Sequence, residues 1–259
     1  MAKGSYFAKH IAQKENGESG TQRIQLPQVL ISEEAKKIFE EGKVLLIDKP
    51  LHWTSFDVVR KIRSSLKIKK VGHAGTLDPL ATGLLIVCTG KFTKKINEYM
   101  AQEKEYTGTF TLGATTPTYD KESTPENFKD YTHITEDEIK NATQHFLGEI
   151  QQLPPIYSAI KKEGVALYEL ARRGEEVELK ARTILINDFE IIGLELPVVS
   201  FRVLCGTGTY IRSLAHDMGT ILGCGAYLSE LRRTKIGDLN VDDARTMEAF
   251  MQYINEIST

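Results

Sequence analysis

Cysteine is scarce: only Cys88, Cys205 and Cys224 occur in 259 residues. The number is odd, the spacing is wide, and no CxxC pair is present. That pattern argues against a disulfide framework and against a zinc site built on cysteine pairs. It predicts reduced thiols and a cytoplasmic setting. Long apolar runs are also missing, so no segment reads as bilayer-spanning. The first residues carry no apolar signal core and no lipidation motif. Net charge of one sign is nearly absent, because 33 Lys and Arg face 35 Asp and Glu. A balance of −2 argues against coating nucleic acid over the whole surface. It leaves room for a local basic face, since a phosphate backbone feels the local field.

Several familiar motifs are missing too. The six histidines have no metal-ligand spacing. "GTGTYI" lacks the third glycine of a dinucleotide fingerprint, with Ile211 in its place. "CTGKFT" has the Gly-Lys pair of a phosphate loop, but Leu85 stands where the first glycine belongs. No GxSxG elbow marks a serine hydrolase. His216 and Asp217 are adjacent in a helical stretch without partner ligands, and read as a surface or half-buried pair.

What is present is an ordinary globular composition, 41% hydrophobic and 26% charged, able to fill a core. The length suits one large domain or two small ones. Residues 1 to about 31 are polar and aperiodic, and read as an arm. Ser32 is placed to cap a short helix through Glu41, stopped by Gly42. "KVLLID" reads as a buried strand. "TSFDVVRKIRSSL" reads as a helix capped by Thr54 or Ser55, with Phe56, Val59, Ile62 and Leu66 at helical spacing. "GLLIVCTG", "KEYTGTFTLGA", Thr183–Ile192 and Val199–Leu204 read as strands. "FTKKINEYM", "ALYELARRG" and the stretch after "GTGTYI" read as helices. Thr135 and Glu138 form a capping box for another. No internal repeat appears. The elements do not alternate regularly, which predicts an α+β fold with a mixed, mostly antiparallel sheet.

Charge is unevenly spread. Arg60, Lys61, Arg63, Lys67, Lys69 and Lys70 crowd "RKIRSSLKIKK" without an acid among them. Glu33, Glu34, Glu40 and Glu41 gather earlier, and Asp242 and Asp243 later. A solvated helix face and an RNA-facing surface both fit such a run. Just beyond it comes "VGHAGTLDPLATG", with one carboxylate, Asp78, between Leu77 and Pro79. An aspartate there can simply brace a turn. Yet Pro79 forces Asp78 out of the helical region and fixes its presentation. Gly72, Ala74 and Gly75 leave little bulk beside it, so another group can approach the backbone closely. Lys69, Lys70 and His73 supply donors suited to phosphates.

"VGHAGTLDPLATGLLIVCTGKFTK" closely resembles the signature of the tRNA pseudouridine synthase B (TruB) family. "LLIDKPLHWTSFDVV", "KEYTGTFTLGATTPTYD", "PPIYSAIKKEGVALYELARRG", and "VLCGTGTYIRSLAHDMG" with "GAYLSELRRTKIG" resemble four further family segments, in the family's order. The resemblance runs from about Gly42 to Asn240, which sets an expected catalytic domain of residues 42–259 behind an arm and short helix of residues 1–41. It implies an isomerase that converts uridine 55 of the tRNA T-loop to pseudouridine without a cofactor or metal. Asp78 matches the family's nucleophile. Tyr106 matches the residue that stacks on the flipped uracil and is implicated in removing the C5 proton. Arg212 matches the arginine that pairs with the catalytic carboxylate. His73 matches a histidine that takes the gap left by the flipped base or contacts the RNA. Lys49, Tyr210 and Leu231 match positions lining the uracil pocket, while Gly72, Lys69 and Lys70 join the substrate-binding set. The implied partner is the tRNA T-arm, met by a monomer with no guide RNA and no membrane.

Two departures from the family pattern stand out. Tyr227 occupies a position where many relatives carry histidine. Only Thr234 to Thr259 follow "LRR", which is too short for the PUA-type domain of most bacterial members. Two alternatives use the same surface: an RNA chaperone that refolds the tRNA elbow, and a guide-RNA-dependent catalytic subunit.

Overall fold

The computed structural model describes residues 30–158 and 179–259, together with 161–162, 165–166 and 173. The arm expected over residues 1–31 lies outside the described residues except at its end. So does the helix expected from "ALYELARRG", apart from Ala166 and Arg173.

Helix α1 spans Glu33–Glu41, with the Ser32 hydroxyl accepting from the Ala35 amide and Gly42 at φ 128° closing it. Strand β1 is Val44–Lys49. Helix α2, Ser55–Leu66, starts in a full capping box between Thr54 and Asp57. Its buried face is Ser55, Val58, Val59, Ile62 and Leu66. Phe56, expected on that face, is 58% exposed. It sits one residue, about 100°, round the helix from Ser55, so the buried stripe passes it by.

Strand β2 (Val71–Ala74) and strand β3 (Ala81–Thr89) follow. The segment expected as one helix divides into a 3₁₀ stretch, Gly90–Lys95, and α3, Ile96–Ala101. Then come β4 (Lys104–Leu112), α4 (Glu136–Ala142) and β5 (Gly148–Gln152). A two-residue hairpin, β6 (Lys161–Lys162) with β7 (Val165–Ala166), stands apart from the main sheet. Strands β8 (Arg182–Glu195) and β9 (Val198–Cys205) lead to α5 (Ile211–Ile221). Strand β10 (Ala226–Ile236), β11 (Leu239–Asn240) and α6 (Met247–Glu256) complete the described chain.

Among the described residues, nine strands make one sheet with the path β1-β3-β10-β4-β9-β8-β5, while β2 joins β3 and β11 joins β10. Every pairing is antiparallel except β3 with β10. The α+β reading therefore holds, with a mixed, mostly antiparallel sheet. The parallel pair sets Leu231 beside Ala81 and Arg233 beside Gly83. It brings β10, late in the chain, to the start of β3. Gly83 makes this possible: at φ +101° a Cβ would lie 2.3 Å from the Arg233 carbonyl oxygen.

One core cluster joins β4, β8 and β9 with α4 and α5, through Phe110, Phe201, Phe189 and Met218. Another joins β1 and β3 with α1, α2 and α6, through Phe39, Ile62, Leu85 and Phe250. The loop carrying Asp78 lies between these two bodies of packing, with Leu77 in the first and Ser55 of α2 beneath it.

Candidate active site

Asp78 sits in the loop between β2 and β3, and four parts of the chain hold that loop. The Ser55 hydroxyl accepts from the Leu77 amide at 2.9 Å and donates to the Leu77 carbonyl at 3.2 Å. The His52 amide donates to the Pro79 carbonyl at 2.8 Å. Arg233 of β10 donates to the Gly75 carbonyl at 3.0 Å. Lys49 Nζ donates to the carbonyls of Pro50 at 2.9 Å and Trp53 at 2.5 Å, and reaches that of Pro79 at 3.5 Å. A carboxylate on a loop gains a fixed direction when the backbone around it has no slack.

Arg212 lies in the first turn of α5, its side chain 5% exposed. Its Nε is 2.9 Å from Asp78 Oδ2, and its Nη2 is 3.4 Å from Asp78 Oδ1. The remaining donors go to backbone: Nη1 to the Thr118 carbonyl at 3.1 Å and Nη2 to the Tyr157 carbonyl at 3.0 Å. A second carboxylate, Asp120, stands 3.7 Å from the same Nε. One guanidinium thus faces two acids, only one of which opens to solvent, Asp78 at 40% and Asp120 at 7%. Burial raises the Asp78 pKa, Arg212 pulls it back down, and Asp120 pushes it up again.

Tyr106 on β4 is buried and pairs in register with Arg233 on β10, so both side chains share a face of the sheet. Burial pushes the phenol's pKa up, and the Arg233 guanidinium beside it pulls it down. Arg233 is 1% exposed and also donates to the Leu84 carbonyl at 2.8 Å. No salt bridge is formed by Arg233 among the described residues. Its neighbour Arg232 points the other way, into a two-pronged pair with Asp48 at 3.0 and 2.8 Å.

Asp78, Tyr106, Tyr210, Arg212, Leu231 and Arg233 all line one cleft of about 640 Å³. Five of these six are sequence-expected site residues. Arg233 was missed, although it stands two residues after Leu231 in the quoted "LRR" and alternation on a strand puts both on one face. Sequence reading also passes over Tyr157 and the turn Gly206–Thr209, which line the cleft, and Asp120, which faces Arg212.

The other expected residues lie outside the cleft lining. Lys49 is fully buried behind the Asp78 loop, and burial lowers its pKa to about 8. His73 is half-buried on β2, its pKa lowered by burial and by Arg233. The open side expected at Gly72 is occupied, because a Cβ there would meet Ile96 Cδ1 at 2.7 Å. Gly75 does line the cleft, and there the nearest group is Arg233 Nη1, 3.3 Å from a Cβ position. The close approaches at these glycines are made by the protein itself. Lys69 and Lys70 are exposed on the stretch entering β2. His216 and Asp217 form the half-buried pair expected of them. No group of three or more His, Cys, Asp and Glu side chains is placed to hold a metal among the described residues.

Two family models match this chain. The TruB family pseudouridylate synthase N-terminal domain matches residues 63–211, and the tRNA pseudouridylate synthase B C-terminal domain matches residues 212–258. The chain belongs to the TruB family. The boundary between the two models passes through the cleft, with Asp78 and Tyr106 on one side and Arg212, Leu231 and Arg233 on the other. Among TruB relatives, the tRNA pseudouridine synthase B of Flavobacterium johnsoniae is 55% identical over 217 residues, covering 81% of this chain and 95% of that protein. The enzyme of the same name from Phocaeicola vulgatus is 49% identical, covering 84% and 95%. A crystal structure of a Cbf5-Nop10-Gar1 complex is similar at 31% identity and a TM-score of 0.65. The match covers 92% of this chain but only 61% of that one. An H/ACA RNP bound to a substrate RNA containing 2'-deoxyuridine gives 30% identity and a TM-score of 0.64, again with 92% and 60% covered.

Proposed function

We propose that this TruB-family chain isomerises uridine 55 in the T-loop of tRNA to pseudouridine. The observation that carries this reading is the Asp78–Arg212 pair, 2.9 Å apart and shared with a buried tyrosine in one cleft. A uridine inside a folded loop is out of reach, so it must swing out at a cost of about a few kcal/mol. A cleft of about 640 Å³ has room for the flipped nucleotide. Asp78 acts as the nucleophile, with Arg212 keeping it ionised and aimed. The C1′–N1 bond breaks, the uracil turns, a C1′–C5 bond forms, the bond made by Asp78 is released, and N1 gains a proton as C5 loses one. Tyr106 packs on the base and serves the removal of the C5 proton. Leu231 and Tyr210 close the pocket around the ring.

The chain acts as a monomer in the cytoplasm, without a cofactor. Residues 42–259 work as one catalytic unit, since β10 from the second matched region pairs with β3 and β4 from the first. A guide-dependent reading draws on the likeness to the Cbf5 and H/ACA structures. Mapping pseudouridine on unmodified tRNA, with purified chain and no other RNA, separates the two. Wild type should modify position 55 alone, and Asp78→Asn should make none while binding tRNA within about tenfold of wild type, because phosphate contacts carry affinity. Modification that requires an added guide RNA would favour the other reading. Substantial turnover by Asp78→Asn would remove the nucleophile assignment.

A further inference from the structure

Tyr119 is an aromatic residue at φ +63°, in the left-handed region that such side chains rarely enter. A strained residue of this kind persists only where its surroundings over-determine it. Here three contacts do so. Its amide donates to the Thr116 carbonyl at 3.1 Å, and the Leu228 amide of β10 donates to its carbonyl at 2.9 Å. Its ring lies flat on His216, with centroids 3.9 Å apart and planes 13° from parallel.

The residues on either side of Tyr119 both address Arg212. The Thr118 carbonyl accepts from Nη1 at 3.1 Å, and the Asp120 carboxylate is 3.7 Å from Nε. The Thr118 hydroxyl also donates to Asp120 Oδ1 at 2.7 Å, tying the two flanks together. His216 follows Arg212 by four residues, one turn along the same face of α5. Helix α5 therefore grips this three-residue segment twice. Arg212 takes its flanks and His216 presses on its middle, while β10 holds it from behind.

We propose that Tyr119 and His216 form a clasp that positions Arg212, and through it Asp78, for the isomerisation. The proposal rests on the isomerase reading above. Tyr119 and His216 are positioning residues, and neither lines the cleft. Without the stack, the strained turn relaxes and carries the Thr118 carbonyl and Asp120 away from the guanidinium. Arg212 then holds Asp78 in a wider range of directions. The clasp works through ring shape rather than charge. His216 Nδ1 is buried with no hydrogen bond among the described residues, and burial lowers the ring's pKa, which favours the neutral form. A phenyl ring at this position keeps the stack and removes an unpartnered nitrogen.

The test uses the full chain and unmodified tRNA. His216→Ala and Tyr119→Asn should each lower kcat by about ten- to a hundredfold, the scale of a misplaced catalytic group. Asparagine tolerates the left-handed backbone, so the second variant removes the ring without adding strain. KM should stay within about twofold, and Tm within about 4 °C. His216→Phe should restore kcat to within about threefold. In parallel, the Arg212 Nε–H resonance, assigned by its loss in Arg212→Lys, should broaden in His216→Ala and sharpen again in His216→Phe. Unchanged kcat in both ring-deletion variants would overturn the clasp. So would failure of His216→Phe to rescue, or a loss of rate that merely follows a loss of Tm. If wild type does not modify tRNA, the isomerase reading fails. An Arg212 signal indifferent to His216 would then overturn the clasp independently.

Discussion

Asp78 and Arg212 are 134 residues apart in the chain, yet the guanidinium meets the carboxylate along one edge. The cost of taking both charges from water is offset in two ways. Asp78 keeps contact with the cleft, and the other donors of Arg212 find carbonyl oxygens. Asp217, on the same helix, has no such help among the described residues. Burial raises its pKa from the usual 3.8 to about 6. Above about pH 6 the folded protein carries this carboxylate charged and half-buried, which costs stability. Below about pH 4 it is protonated in both folded and unfolded chains, and the penalty disappears. Asp217→Asn should therefore stabilise the protein at pH 8, by about 1–2 kcal/mol after screening of a half-exposed group. The gain should shrink between about pH 6 and pH 4. Urea unfolding of both proteins at pH 8 and pH 4.5 checks it, and an equal gain at both values counts against a charge origin.

Among residues, legibility followed exposure of function in the motif. Asp78, Tyr106 and Arg212 are singled out by the resemblance of their segments to the TruB family, and the fold brings all three to one cleft. Arg233 was harder to see, because its guanidinium serves main-chain carbonyls that the folded chain alone reveals. Asp120 sits in "TTPTYD", a stretch that reads as a polar loop. Its burial at 5% depends on Arg212 arriving from far along the chain.

At the scale of elements, the central device is the join between the Asp78 loop, α2 and β10. Neither β10 nor α6 is assigned from sequence. Register shifts between Leu228 and Glu230, and between Arg233 and Lys235, break the alternation of β10 and hide a strand that is central in the sheet. Helix α6 was open to reading, since Met247, Phe250, Met251 and Ile254 recur at helical spacing and are all buried. Helix α2 was read well because its cap is local: Thr54 and Asp57 are three residues apart. What its sequence does not show is that Ser55 belongs to the Asp78 loop. Thr54 already caps the helix, so Ser55→Ala should spare α2 and strand the Leu77 amide and carbonyl. Each buried group left without a partner costs about 1–3 kcal/mol. We expect a destabilisation of about 2 kcal/mol with unchanged helix content, and a fall in kcat of about tenfold as the loop loosens. Far-UV circular dichroism, urea melts and steady-state kinetics on tRNA measure all three. A wild-type kcat would show that the other three holds on the loop suffice.

At the scale of the molecule, near-neutral net charge coexists with a local run of exposed basic residues. Arg60, Lys67, Lys69 and Lys70 are exposed, and Arg63 is partly tied down by its bond to the Val71 carbonyl. Thr54, the cap of helix α2, lines the cleft, and Arg60, Lys61 and Arg63 lie further along the same helix. In the proposed reading, the cleft takes the flipped nucleotide and the run takes phosphates of the T-arm. The C-terminal matched region supplies Arg212, Leu231 and Arg233 to the cleft itself. A T-arm hairpin should then be modified within about tenfold of the rate on whole tRNA, since specific contacts concentrate there and phosphate contacts set the register. Replacing Lys69 and Lys70 with glutamine should weaken both substrates alike. It should also flatten the log–log dependence of affinity on salt by about 0.9 for each phosphate that is no longer neutralised. Steady-state kinetics and binding on hairpin and whole tRNA, at several salt concentrations, decide the matter. A hairpin poorer by about a hundredfold, equivalent to about 2.7 kcal/mol of missing interaction, would place a second grip elsewhere on the tRNA. A salt slope unmoved by the double substitution would leave the basic run as a solvated helix face.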